Sequence, residues 1–202
     1  MEKIGLYGGA FNPIHNGHMN VANYMLSFTD IDEVLFIVSP QNPTKTSDSL
    51  LPENERYNMV RMATQKINNF SYSDIEFNME RPSYSHKTIK KLKDDNPQNE
   101  YVLIIGSDNL HQLKEWKNYV WILENIQIYV YKRDNLLHNV NFAPINANIK
   151  YHYDVPTSSI SSTFIRESIE NGKNIDTFLP ESVAYYIDTF DFYKKKVYDG
   201  RN

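Results

Sequence analysis

The stretch Ile4-Gly5-Leu6-Tyr7-Gly8-Gly9-Ala10-Phe11-Asn12-Pro13-Ile14-His15-Asn16-Gly17-His18 decides how the rest of the chain is read. Apolar Ile4 to Tyr7 predicts a strand, Gly8-Gly9 a turn, and the residues from about Asn16 to Phe28 a helix with Val21, Ala22, Met25 and Phe28 on or near one face. Three or four residues back from Val21 and Ala22 lies His18, and His15 is one step further. Both imidazoles therefore continue the inward face towards the end of the strand. Gly8 and Gly9 let the backbone approach a ligand with no Cβ in the way. A helix start offers unpaired N–H groups and partial positive charge, which favour an anion. A strand's carboxyl end is where open α/β sheets bind ligands. The pattern points to nucleotide chemistry at a phosphate. A glycine turn with capping or core histidines is the competing account, stronger for either histidine alone than for the whole string.

Strand-like runs alternate with helical patterns along the chain. Strands are predicted at Lys3 to Tyr7, Glu33 to Ser39, Phe70 to Phe77, Tyr101 to Ile105, Gln127 to Tyr131 and Ile149 to Tyr153. Helices are predicted at Asn16 to Phe28, Glu53 to Ile67, His86 to Lys93, Ser162 to Glu170 and Glu181 to Thr189. Val34 to Val38 and Val102 to Ile105 are continuous apolar runs, as central strands covered on both faces require. The fold class read from this order is α/β: a doubly wound, mostly parallel sheet. One domain is expected over residues 1–193, with a polar, mobile tail at 194–202. Asp94 to Glu100 reads as a polar loop and Asp134 to Asn148 as an Asn-rich surface excursion.

At 202 residues the chain can bury a substantial core. Its net charge of −4 argues against a general nucleic-acid binder, while leaving room for a small anionic substrate held by a few local cations. The absence of cysteine removes disulfides, thiolate metal sites and thiol nucleophiles, and fits a cytoplasmic protein. No apolar run approaches the roughly 20 residues of a membrane span, and no signal-peptide pattern precedes the first strand.

Three further segments carry chemistry. In Ser158-Ser159-Ile160-Ser161-Ser162-Thr163-Phe164-Ile165-Arg166, a helix is predicted to start near Ser161 or Ser162. Arg166 then falls in or near its first turn, where a cation is unfavourable unless an anion sits between it and the helix. Hydroxyls, free N–H groups and an arginine make a phosphate cradle there. In Ile105-Gly106-Ser107-Asp108-Asn109-Leu110, Asp108 stands at the sheet's carboxyl edge. It can accept from ribose hydroxyls there, or serve as a plain helix cap. Trp116 offers a flat face to a pyridine or purine ring, or simply packs in the core. Arg81-Pro82-Ser83-Tyr84-Ser85-His86-Lys87-Thr88 reads on its own as a helix cap, with Lys87 solvated and His86 at the surface.

Residues 8 to 18 resemble the Gly-Gly-Thr-Phe-Asp-Pro-x-His-x-Gly-His signature of nucleotidyltransferases, in particular nicotinate-mononucleotide adenylyltransferases. The chain departs at Ala10, which lacks the usual threonine hydroxyl, and at Asn12 in place of Asp. The serine-rich segment is similar to the family's Ile-Ser-Ser-Thr-x-Ile-Arg, Gly106 to Trp116 to its Gly-x-Asp-x-Leu…Trp, and Ser83 to Thr88 to its Ser-Tyr-Thr-x-x-Thr. Ser85 keeps the hydroxyl of the usual Thr, and Lys87 stands where an acidic residue is common. The resemblance covers nearly the whole chain and implies a Rossmann-like nucleotidyltransferase fold. It also implies adenylyl transfer from ATP to nicotinate mononucleotide, giving nicotinate adenine dinucleotide and pyrophosphate in NAD biosynthesis.

By that resemblance His15, His18, Lys45 and Arg166 are the catalytic set. Gly8, Gly9, Ala10, Phe11, Gly106, Asp108, Arg133, Ser161, Ser162 and Thr163 bind ATP. Asn12, Tyr84, Ser85, Thr88 and Trp116 bind the mononucleotide, and Arg56 has a supporting role. Mg²⁺ would come with ATP, held mainly by substrate phosphates rather than by a protein metal site. The implied partners are these small molecules, with no nucleic acid and no membrane; a homo-oligomer is left open. The alternatives are a phosphopantetheine adenylyltransferase or cytidylyltransferase with the same His-x-Gly-His, and a non-catalytic nucleotide sensor.

Overall fold

Alternation along the strands decides which helices cover which side of the sheet. The computed structural model describes residues 1–40, 50–133, 148–156 and 160–195. Its strands are β1 (Lys3–Gly9), β2 (Glu33–Val38), β3 (Phe70–Ser73), β4 (Glu100–Gly106), β5 (Gln127–Tyr131) and β6 (Ile149–His152). Its α-helices are α1 (Asn16–Phe28), α2 (Glu53–Thr64), α3 (Ser85–Asp95), α4 (Ser107–Gln112), α5 (Tyr119–Asn125), α6 (Ser162–Glu170) and α7 (Glu181–Thr189). Val34, Phe36, Val102, Ile104, Tyr129 and Tyr131 face a core closed by Val21 and Met25 of α1, Met59 and Val60 of α2, Ile165 of α6 and Val183 of α7. Their neighbours Ile4, Leu6, Leu103, Ile105, Ile128 and Val130 point the other way, onto Ile89 of α3, Leu110 of α4 and Ile122 of α5. A strand whose odd and even side chains are both buried has no polar face, which is why the central strands read as unbroken apolar runs.

The sheet is parallel throughout, in the order β3-β2-β1-β4-β5-β6. The order reverses between β1 and β4, so the connections leaving these neighbours depart to opposite faces and leave a crevice at their carboxyl ends. This is the doubly wound fold expected from the sequence.

Two boundaries differ by more than two residues, and two helices are additional. β3 stops at Ser73 because the chain turns there: Ile75 N–H donates to Ser73 Oγ at 3.1 Å and Phe77 N–H to the Asp74 carbonyl at 2.8 Å. α2 stops at Thr64, and the chain then turns through Asn69, which holds a left-handed φ of 63° before β3. Helices α4 and α5 were not expected; each has fewer than two full turns, too few for a helical period to show. Most of the Asn-rich excursion and the tail beyond Lys195 lie outside the described residues. No helix among the described residues is long and apolar enough to cross a membrane.

Candidate active site at the β1–β4 crevice

His15 occupies the N-cap of α1 and His18 its third position. Their rings stack, with centroids 3.7 Å apart and planes at 28°. The His15 backbone N–H donates to His18 Nδ1 at 3.2 Å. In a neutral ring that leaves the proton on Nε2, so His18 presents an N–H donor on its outer edge. His15 is only 2% exposed, yet neither of its ring nitrogens has a hydrogen-bond partner. Buried polar atoms left unpaired in this way are uncommon and call for an explanation. Both rings line a cleft shared with Tyr7, Gly17, Val21, Tyr131, Arg133 and Ile160.

Two glycines serve this geometry. A Cβ on Gly17 would stand 3.0 Å from Cε1 and from Nδ1 of the His15 ring, close enough that the ring would have to give by a few tenths of an ångström. A Cβ on Gly8 would meet nothing within 4 Å. Gly8 is therefore not demanded by internal packing; its bare backbone faces open space at the crevice. Gly17→Ala is expected to lower kcat about tenfold by pushing the His15 ring off its neighbour, the scale of a sub-ångström misplacement. Melting temperature should hold or rise, because alanine favours the helix by about 1 kcal/mol over glycine. Unchanged kcat would show that the ring's position is not critical.

Both imidazoles are held neutral. Burial, and then the Arg133 charge, push His15 down to about 4. Burial, then His15, then Arg133 push His18 well below the usual histidine range. Between pH 6.5 and 4 the unfolded chain is thus the better proton binder, so stability is complete above about pH 6.5 and declines as pH falls through that window. For His15 alone the shift corresponds to roughly 3 kcal/mol once complete. Thermal unfolding of the ligand-free protein from pH 7.5 to 4.5 should show this decline, with a shallower slope for His15→Gln. Equal slopes would contradict it.

The loop between β1 and α1 is tied from several directions. Phe11 is buried in a left-handed backbone conformation at φ 45°. The Asn12 carbonyl accepts from Arg166 Nη1 at 2.9 Å, and the Pro13 carbonyl from Ser162 Oγ at 2.9 Å. Ser161 is the N-cap of α6, its hydroxyl accepting from Phe164 N–H at 3.1 Å, and Thr163 is exposed beside Arg166. The two motifs farthest apart in the sequence thus meet at one loop. Arg56 is fully buried and donates to the carbonyls of Leu51, Ala10, Ser39 and Pro40 at 2.9, 2.6, 2.7 and 2.8 Å. Gly9 ends β1, and Ala10 contributes its backbone carbonyl to this knot.

Across the crevice, Gly106 ends β4 and caps α4. Asp108 sits inside the first turn of α4 rather than at its cap, with Oδ2 3.5 Å from Arg133 Nη1. The Arg133 backbone N–H donates to Ser107 Oγ at 3.0 Å. Tyr84 caps α3, Ser85 opens it, and Trp116 packs half-buried against the core on that side. Lys117, next to Trp116, places Nζ 4.6 Å from the Tyr84 ring centroid, so these two distant segments also converge. Thr88 and Asn12 turn inward. Thr88 Oγ1 donates to Glu76 at 2.8 Å, and Asn12 Oδ1 accepts from Tyr193 at 2.7 Å and from Leu51 N–H at 3.3 Å. Lys45 lies outside the described residues.

Sequence reasoning missed Glu76, Lys117 and Tyr193. Glu76 is a buried carboxylate that also accepts from Ser83 at 2.7 Å; it stood in what reads as an alternating strand. Lys117 could have been found from its place beside Trp116. Nothing in the sequence marks Tyr193.

A family model described as cytidylyltransferase-like matches residues 6–168. A Flavobacterium johnsoniae protein named "Probable nicotinate-nucleotide adenylyltransferase" is 46% identical over 198 residues, covering 96% of this chain and 100% of that protein. A protein of the same name from Flavobacterium psychrophilum is 47% identical over 193 residues, covering 96% and 100%. The solved structure of Plasmodium falciparum nicotinic acid mononucleotide adenylyltransferase complexed with NaAD superposes with a TM-score of 0.72 at 18% identity, covering 96% of this chain and 98% of that one. At that identity the likeness shows the fold.

Proposed function

Because the chain belongs to the cytidylyltransferase-like family, among the nicotinate-nucleotide adenylyltransferases, we propose that it transfers the adenylyl group of ATP to nicotinate mononucleotide. An oxygen of the mononucleotide 5′-phosphate attacks the α-phosphorus of ATP. The bond from that phosphorus to the bridging oxygen breaks, and pyrophosphate leaves with the electron pair. The attacking phosphate is already an anion, so the reaction needs no general base and no covalent enzyme intermediate. What it needs is alignment and stabilisation of charge moving onto the leaving group.

The observation that carries this reading is the stacked, neutral His15–His18 pair beside Arg133 in the β1–β4 crevice. His18 offers an Nε2–H donor, and the buried neutral His15, whose ring nitrogens have no partner in the protein, has one N–H to offer a ligand oxygen. Arg133, Arg166 and Lys45 supply fixed charge, with Gly8 to Phe11, Gly106, Asp108 and the start of α6 at Ser161 to Thr163 framing ATP. Tyr84, Ser85 and Trp116 take the mononucleotide, and Asn12 and Thr88 hold that wall and the loop from inside. Mg²⁺ would enter on the triphosphate, held mainly by substrate phosphates. There it would offset charge on the departing pyrophosphate.

The test is pyrophosphate release from MgATP with nicotinate mononucleotide, nicotinamide mononucleotide and phosphopantetheine as parallel acceptors. Release with the pyridine mononucleotides alone supports the reading. Release with phosphopantetheine alone, or ATP binding without release from any acceptor, overturns it. Lys117 gives the acid form an advantage, because its ammonium over Tyr84 can face the pyridine carboxylate. Lys117→Met should reduce the acid-to-amide ratio of kcat/KM about tenfold, the weight of one solvent-screened charge contact of about 1.4 kcal/mol. An unchanged ratio would remove Lys117 from substrate choice.

A further inference from the structure

The loop whose backbone faces the phosphates in this reading is held from the opposite end of the chain. Tyr193, 181 residues after Asn12, donates its hydroxyl to Asn12 Oδ1 at 2.7 Å. The chain reaches that point by hooking back after α7: Asp191 and Tyr193 adopt left-handed conformations at φ 52° and 65°. Phe192 N–H donates to the Ile187 carbonyl at 3.0 Å, and the Phe192 ring packs on Tyr186 and Phe190, which pins the hook in place. Burial raises the Tyr193 hydroxyl far above the usual tyrosine range, although Arg166 and Arg56 pull it down, so it remains a neutral donor.

Asn12 is the node where these ties cross. Its carbonyl holds Arg166, its Oδ1 holds the Leu51 N–H at a long 3.3 Å, and Tyr193 supplies the shorter bond to the same oxygen. Leu51 lies just past the segment that carries Lys45. Removing the tyrosine hydroxyl takes away the shorter of these two bonds and so loosens the hold on the carboxamide. A looser Asn12 loosens in turn the backbone carbonyl on which Arg166 is set. We propose that Tyr193 is a positioning residue: its hydroxyl fixes the Asn12 side chain and thereby sets Arg166 and the phosphate-facing loop in one geometry. The segment after α7 thus acts as a strap on the site.

The inference rests on the proposed adenylyl transfer, and its test separates the two. Tyr193→Phe keeps the ring and removes the hydroxyl. We expect kcat per folded molecule to fall about tenfold, the KM for ATP to stay within about twofold, and the melting temperature to move by only a few degrees. Asn12→Ala should abolish the effect, so that the double variant is no slower than Asn12→Ala alone. Amide exchange at residues 10–14, followed by mass spectrometry, should quicken about tenfold in Tyr193→Phe. Unchanged kcat in an active wild-type background, or additive losses in the double variant, overturns the strap. If the wild type turns over no pyridine mononucleotide, the functional reading fails instead, and the exchange rates decide the strap: quicker supports it, unchanged overturns it.

Discussion

His18→Ala is expected to cut kcat by about 100- to 1,000-fold, the usual cost of removing one preorganised donor aimed at developing charge. The substitution removes two things. One is the Nε2–H that the Nδ1 bond leaves pointing outward. The other is the Nδ1 acceptor that serves the His15 backbone N–H at the start of α1. The second loss is a capping loss of about 1 kcal/mol, which should lower the melting temperature by only about 2–4 °C in a chain of this size. His18→Gln separates the two, since glutamine at the third helical position can reach back to the cap N–H. It should melt like the wild type and still turn over far more slowly. Single-turnover pyrophosphate release, normalised to folded protein, is the measurement. Near-normal turnover in His18→Ala would end the role assigned to this imidazole. A matching fall in melting temperature and rate would reduce it to a capping residue.

The same pair shows what the sequence could and could not reveal. The spacing of His15 and His18 from Val21 and Ala22 placed both rings at the strand's end, and the alternation of apolar runs with helical patterns placed that end in a parallel sheet. Both readings rest on short-range regularities, a helical turn and a pleat, which the chain carries in its own order. The stack of the rings was not readable, because its closeness depends on the room that Gly17 leaves under His15. Their neutrality was not readable either, because it depends first on burial of the rings in the folded crevice and then on Arg133, brought over from the far side of the crevice by β5. Thr88 was legible as a hydroxyl at a helix start. That it turns inward to Glu76 depends on β3 ending four residues earlier than its pattern suggests. Tyr193 and Lys117 act across gaps that no local pattern spans. The loop carrying Lys45 and the serines at 158 and 159 fall outside the described residues, so their places in the site remain sequence readings.

Arg56 carries the largest expected effect on stability. A guanidinium with no exposed surface is costly unless its donors are matched, and here four of its five N–H donors reach backbone carbonyls. Burial pushes its pKa down and nearby Glu53 pushes it back up, but arginine stays charged throughout the working range. The carbonyls belong to the turn after β1, the end of β2 and the residue before α2's cap, so one side chain joins three segments around the crevice. Arg56→Met fills much of the volume and leaves Ala10, Ser39, Pro40 and Leu51 without those donors. Each buried carbonyl so abandoned costs about 1–3 kcal/mol, less when several relax together, so a total loss of about 3–5 kcal/mol is expected. That should lower the melting temperature by about 10 °C. Arg56→Lys should fall between, because three donors on a compact ammonium cannot reach four carbonyls spread around a planar fork. The surviving folded fraction of Arg56→Met should also be slow, since Ala10 and the loop it anchors lead directly into His15. A melting temperature within about 2 °C of wild type would mean that water or a rearranged loop satisfies these carbonyls, and that the three segments are held together by packing alone.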